Sequence, residues 1–300
     1  MGETKLIKII VWGIGDGYNH IRSQLQQLEE EGDIRIVAYT GNEKLIQLNG
    51  SDYIRKEDIH TIKYDYILIT TNNFNVVKNE AVFCYGISKE KIIDSKVLNI
   101  LGFTFTKYIE LINQKPTFIS NNCTAGIIYN LIGMRFTSPI INMYIKDDDY
   151  FKLIDNFTAS MESEIELTGI NYDSGTQLKY PIYTISDTGI ELNMNHYSDF
   201  NVAKEKWKER KSRINYDNLI FIFKAENQES VRKFNMLDIK KRILFSPYKN
   251  EGTPNNVYID SKLSGDRPYW HYVNGSLTCK YPLYNVMELL LNQKYIPYAW

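Results

Sequence analysis

Three places in this chain hold residues able to do chemistry. Cys123 stands in Ser120-Asn121-Asn122-Cys123-Thr124-Ala125-Gly126, where an apolar strand passes into a helix. A thiol at or just before a helix N-terminus meets the positive end of the helix dipole, which favours thiolate. A nucleophilic cysteine also needs a base, and His196 is the candidate by motif context. Against this, Leu192, Met194 and His196 alternate onto one apolar strand face, with Glu191, Asn193 and Asn195 on the other. A histidine so placed is more often a hydrogen-bonded core residue, and cysteine is commonly just buried. The pair therefore reads first as structural.

The second place is a helix in which Ala203, Trp207, Arg210 and Ile214 share one stripe. A guanidinium on a packing face must meet a carboxylate or a ligand anion, because an unpaired buried charge is very costly. Arg213 borders the stripe, so the two arginines suit a clamp on a phosphate or a sugar carboxylate. The commoner outcome is an internal ion pair, here with Asp187 or Asp217. Asn121, Asn122, Asn215 and Asp217 complete the polar set of this half of the chain.

The third place is the loop Gly13-Ile14-Gly15-Asp16-Gly17. Glycines after a first strand let backbone approach a ligand's phosphates at the N-terminus of the following helix. A dinucleotide fingerprint spaces its glycines Gly-x-Gly-x-x-Gly. Gly13 and Gly15 match, but Tyr18 takes the third position and Gly17 falls one residue early. The second strand ends in Thr40-Gly41-Asn42, without the acidic residue that holds ribose hydroxyls, and Asp33 precedes that strand. NAD is therefore disfavoured. Another nucleotide-type ligand on Gly13, Gly15 and Gly17 stands level with a plain tight turn, and the cofactor is otherwise unknown.

These residues need a frame to hold them. Residues 6–12 are nearly continuous apolar sequence, the mark of a strand buried on both faces of a parallel sheet. Tyr18, Ile21, Leu25 and Leu28 then recur at helical spacing up to Gly32, and residues 34–39 form a second apolar run. Residues 65–70 and 91–94 add strands around a helix over 73–85. The chain is expected to be α/β: a Rossmann-like parallel-sheet domain over residues 1–98 and a second, mixed α/β domain over 99–300. A helix over 97–113 joins them, stopped by Lys115-Pro116.

The second domain is read as a strand at 117–120, helices at 124–131 and 147–160, and a hairpin of 180–186 with 190–197. A helix at 200–214 and a strand at 219–223 follow. Beyond residue 245 punctuating Pro, Gly and Asn predict loops and short strands before a last helix at 285–291. The aromatic groups Tyr269-Trp270-His271-Tyr272 and Tyr298-Ala299-Trp300 read as packing that anchors this tail.

Composition narrows the classes. With 300 residues, 43% hydrophobic, 24% charged and a net charge of -1, the chain is an ordinary globular protein with no charge imbalance that argues for nucleic acid. No apolar run approaches the ~20 residues that cross a bilayer. The start has no signal-peptide pattern, and Gly2 lacks the Ser or Thr at position 6 of a myristoylation site. Three scattered cysteines suggest neither a disulfide framework nor a zinc site, and no cluster has metal-ligand spacing. A cytoplasmic protein of undetermined oligomeric state is expected.

The motif series Ser120-Asn121-Asn122-Cys123, Gly126, Tyr129, Gly133, Phe136-Thr137-Ser138-Pro139, Tyr180-Pro181, His196-Tyr197 and Trp207-x-x-Arg210-x-x-Arg213-Ile214-Asn215-x-Asp217 resembles a bacterial family whose members are labelled exopolysaccharide biosynthesis proteins. The resemblance covers about residues 115–245. It departs after residue 223, where Ala225-Glu226-Asn227 replaces an acidic Asp-Arg-Asp type segment. The resemblance implies a role in cell-surface polysaccharide assembly on a nucleotide sugar or glycan precursor. Three readings stay open: a transferase or modifier of that precursor, a non-catalytic binding or assembly protein of the same pathway, and a Cys-His hydrolase or acyltransferase.

Overall fold

The computed structural model describes residues 6–43, 45–173, 178–249, 253–260 and 267–298. Gly2 and the closing Ala299-Trp300 lie outside them. The chain divides into two compact units, Met1–Glu110 and Leu111–Trp300.

The first unit runs β1 (Ile7–Trp12), α1 (Asp16–Glu30), β2 (Ile34–Thr40), β3 (Gln47–Leu48), β4 (Ser51–Ile54), β5 (Tyr66–Ile69), α2 (Phe74–Phe83), β6 (Ile92–Asp94) and the start of α3 (Phe105–Asn113). Among the described residues these strands make one sheet in the order β3-β4-β2-β1-β5-β6. Every pairing is parallel except β3 with β4. Ile9, Ile10, Val11 and Trp12 are all buried, the reason β1 reads as an unbroken apolar run. Tyr18, Ile21, Leu25 and Leu28 are the buried residues of α1. Because β1 pairs with β2 on one side and β5 on the other, the order reverses beside the glycine loop.

The helix expected over 97–113 is two pieces, a 3-10 turn at Ser95–Asn99 and α3. Gly102, at φ +76°, lies between them in a conformation that suits glycine and ends a helix. Asp33, set aside above as a ribose ligand, instead caps α3. Its carboxylate accepts from Phe105 N (2.5 Å), Thr106 N (3.0 Å) and Thr106 Oγ1 (2.7 Å).

The second unit contains β7 (Thr117–Ser120), α4 (Thr124–Leu131), α5 (Asp147–Asp155), α6 (Phe157–Glu162), β8 (Ile165–Asp173), β9 (Leu178–Ile185), β10 (Glu191–Asn193), α7 (Phe200–Lys211), β11 (Leu219–Lys224), α8 (Gln228–Met236), β12 (Arg242–Ser246), β13 (Asn256–Tyr258), α9 (Tyr269–Leu277) and α10 (Val286–Asn292). Among the described residues two sheets result, a parallel one ordered β13-β12-β11-β7 and an antiparallel one ordered β10-β9-β8. The whole is a mixed α/β chain.

Packing fixes where two helices begin. Phe223 of β11 stacks with Tyr150 of α5 at 5.9 Å and with Phe234 of α8 at 5.1 Å. The Tyr150 hydroxyl reaches both Ile119 O (2.8 Å) and Ile222 O (2.9 Å), pinning α5 to β7 and β11. The first turns of α5 and α8 therefore stand at the carboxyl ends of those two strands.

Candidate functional site

At the end of β7 the chain turns sharply into α4, and its own side chains hold the turn. Ser120 Oγ accepts from Ala125 N at 3.0 Å and donates to Asn122 O at 2.5 Å, while Asn122 Oδ1 accepts from Thr124 N at 2.9 Å. Two of the free N–H groups that begin a helix are thus already satisfied. The expected bias of the dipole toward a Cys123 thiolate is outweighed, since burial pushes this thiol above the ordinary cysteine value.

His196 arrives from the antiparallel sheet. Leu192 and Met194 are buried, as their alternation requires, but β10 ends at Asn193. Short turns with Asn195 N on Asn193 O (2.9 Å) and Tyr197 N on Met194 O (3.0 Å) follow, and they leave His196 exposed. The apolar-face placement expected for His196 is therefore corrected: the face ends two residues early. His196 Nε2 instead lies 3.2 Å from Cys123 Sγ. In the tautomer that leaves Nε2 without a proton, a neutral thiol donates its S–H to Nε2, the arrangement from which an imidazole accepts the thiol proton as sulfur attacks.

Arg210 is 6% exposed, yet it meets neither Asp187 nor Asp217. Its Nη1 donates to the Tyr197 hydroxyl (2.6 Å) and to Ile141 O (3.3 Å), and its guanidinium lies 5.2 Å from the Phe136 ring centre. Asp187 accepts from Ser163 Oγ at 2.5 Å. Arg213 turns to Glu209, at 3.2 Å to its carbonyl and 3.3 Å to its carboxylate, so no two-arginine clamp forms. Burial and the neighbouring Arg135 and Arg210 charges lower the Arg213 pKa. Arg210 is a support: Tyr197, which it holds, directly follows His196.

Asn215 and Asp217 belong elsewhere. Asn215 donates to Gln114 O (3.2 Å) and Lys115 O (3.0 Å), and its N–H reaches Thr117 Oγ1 (2.9 Å). That is the amino end of β7, roughly 10 Å of strand from Ser120 at ~3.3 Å per residue. Asn215 Oδ1 also accepts from Asp217 N, and Asp217 is exposed. Of the eight polar residues singled out in this half, Cys123 and His196 meet, Asn121 and Asn122 share the turn, and Arg210 stands behind. Arg213, Asn215 and Asp217 do not join them.

The structure also brings in residues that sequence reasoning passed over. Asn121, 6% exposed, donates through Nδ2 to Asp147 Oδ1 at 3.4 Å, and Ser230 Oγ donates to Asp147 Oδ2 at 3.0 Å. Lys224 pairs with Glu226 beside them, and both charges act on Asp147. Desolvation raises the Asp147 pKa, against hydrogen bonds from Ser230 and Asn121 that lower it. Asn121 Oδ1 is buried with no hydrogen-bond partner among the described residues, a state that costs about 1–3 kcal/mol until a donor arrives. The only signal for Asp147 was its place in an acidic first turn, which looks like ordinary helix capping.

In the first unit, two of the three loop glycines are explained by packing. A Cβ on Gly13, which has φ +99°, would lie 2.6 Å from Thr71 Cγ2, and one on Gly17 would lie 1.8 Å from Thr70 O. Gly17 thus gives the close approach that Tyr18 was expected to impede. Tyr18 packs edge-on against Tyr39 at 5.8 Å and accepts from Asn49 Nδ2 at 2.6 Å. Gly15 alone faces open space. A cleft of about 390 Å³ lies at the ends of β2 and β4, bordered by Gly41, Asn42, Tyr53, Arg55 and Lys56.

Among the described residues no helix is long and apolar enough to cross a membrane, and no group of three His, Cys, Asp or Glu side chains is placed to hold a metal ion. Comparison with known proteins adds kinship. Residues 5–93 match the family model described as C2185-like, N-terminal. An uncharacterized protein of Haemophilus influenzae is similar, 27% identical over 144 residues. The match covers 46% of this chain and spans 66% of that relative's length. Residues 94–282 match the domain of unknown function DUF1919, and the chain belongs to that family.

Proposed function

We propose that the second unit is a cysteine-dependent acyl-transfer enzyme that modifies a nucleotide sugar or glycan precursor of cell-surface polysaccharide in the cytoplasm. The observation that carries this reading is the 3.2 Å approach of Cys123 Sγ to His196 Nε2, between side chains 73 residues apart. Burial raises the pKa of this half-buried thiol, so activation falls to His196 as base. Sγ attacks the carbonyl of an activated acyl donor, Nε2 takes the thiol proton, and that proton leaves with the donor's leaving group. An acceptor hydroxyl then attacks the thioester, giving its proton to Nε2 and restoring the thiol as the ester forms. The polysaccharide context rests on the motif resemblance of residues 115–245.

The first unit is read as a Rossmann-like domain for a nucleotide-type ligand other than NAD. The open position at Gly15 and the cleft at the end of β2 support it. A second reading, a non-catalytic binding or assembly protein, is favoured by one feature: burial raises the pKa of the Cys123 thiol, away from thiolate.

Intact-mass measurement after incubation with acyl-coenzyme A thioesters separates the two. The enzyme reading expects one acyl group on the chain, absent in Cys123→Ser, and formed ~10²–10⁴-fold more slowly in His196→Ala, the usual loss on removing a general base. Equal acylation of Cys123→Ser and wild type would sink it.

A further inference from the structure

The acceptor side of this reaction has a place in the fold. We propose that Asn121, Asp147, Ser230 and Lys224 form a binding subsite for the hydroxyl groups of a neutral sugar ring, at the carboxyl ends of β7 and β11. The inference deepens the acyl-transfer reading and rests on it for the word acceptor; the binding claim stands by itself.

The strongest observation is the amide of Asn121. Its Nδ2 donates to Asp147, and its Oδ1 is buried without a hydrogen-bond partner among the described residues. An orphan acceptor beside a carboxylate is matched by vicinal hydroxyls, each donating one hydrogen bond, as sugars present them. Ser230 Oγ, already bonded to Asp147, keeps lone pairs for another hydroxyl, and the Lys224 ammonium can donate to a ring oxygen.

Charge selects within the class of sugars. The Lys224 ammonium is paired with Glu226, and with Asp147 beside them two carboxylates stand against one ammonium. A phosphate brought here would meet net negative charge, so the subsite takes neutral hydroxyls rather than a sugar phosphate. Its position is appropriate: Asn121 is two residues from Cys123 on one turn, and open α/β sheets bind ligands at the carboxyl ends of their strands.

Saturation-transfer NMR on the full chain, with glucose and N-acetylglucosamine as probes and glycerol and glucose 1-phosphate as controls, tests the subsite. At least one neutral sugar should receive saturation, with affinity falling about tenfold or more in Asp147→Asn, a change of one atom that keeps the fold, and in Asn121→Ser. If Asn121→Ser fails to fold, Asp147→Asn decides. The proposal is overturned by absent transfer to both neutral sugars, by equal transfer in Asp147→Asn and wild type, or by stronger binding of glucose 1-phosphate than of glucose. Failure of acyl-enzyme formation with sugar binding intact would remove the acyl-transfer reading and leave the subsite.

Discussion

Two strand-to-helix turns, one in each unit, solve the same problem in opposite ways. After β1 the chain removes side chains: Gly13 and Gly17 let the loop press onto Thr70 and Thr71, and the turn is held by close packing. After β7 it adds them: Ser120 and Asn122 tie down the first N–H groups of α4, and Cys123 is left facing His196. The glycine turn gains closeness at the expense of chemistry. The polar turn positions a thiol and an amide at a sheet edge. A glycine-rich loop is the more conspicuous signal in a sequence, yet here two of its three glycines are accounted for without a ligand.

The contrast predicts unequal responses to small changes. In Gly17→Ala the new methyl would overlap Thr70 O, so the helix or the strand end must move, at a cost of about 3 kcal/mol or more. Gly15→Ala, with open space and no positive φ, should stay within about 0.5 kcal/mol of wild type. Urea unfolding of both variants checks this, and equal stabilities would mean that the loop is not packed as described.

The support behind the polar turn is tested next. Arg210→Ala strips hydrogen bonds from the Tyr197 hydroxyl and Ile141 O inside the protein, and should destabilise by about 2–3 kcal/mol. Arg213→Ala breaks a contact with a carboxylate near the surface and should cost under about 1 kcal/mol. A Tm drop for Arg213→Ala matching that of Arg210→Ala would reverse the roles given to the two arginines.

The smallest effect is one of pH. A thiol whose pKa is raised by burial keeps its proton in the folded chain where the unfolded chain has lost it. Its contribution to stability is therefore fully present below the unfolded value of ~8.5 and lost as pH rises beyond it. Alkylation of the Cys123 peptide by iodoacetamide, followed by mass spectrometry from pH 6 to 10, should accelerate later than that of glutathione. An inflection below pH 7 would restore the thiolate that the helix position alone suggested.

Much of the frame was legible in the sequence because its physics is local. β1, β2, β5, β7 and β11 announce themselves as apolar runs, and α1, α4, α7 and α10 by periodicity or capping. What escaped follows from context. Strand β8 places Glu166, Leu167, Thr168, Ile170 and Tyr172 in the open, so it carries no buried-face alternation. The helix expected over 147–160 breaks at Asn156, where φ is -121°. Helix α9 lies in the stretch expected to hold loops and short strands, and α8 in one given no element, although Val231 and Phe234 bury one face of α8.

The candidate site divides along the same line. Residue types and local turns were readable from the chain: a cysteine where a strand meets a helix, an arginine on a buried stripe, glycines after a first strand. Pairwise partners were decided only by the tertiary structure, since hydrogen bonds and charges act over a few ångströms of space and sequence order does not report that distance. Thus Cys123 found His196, Arg210 found a tyrosine hydroxyl in place of an aspartate, Asn215 went to the far end of β7, and Asp147 came to lie under Asn121.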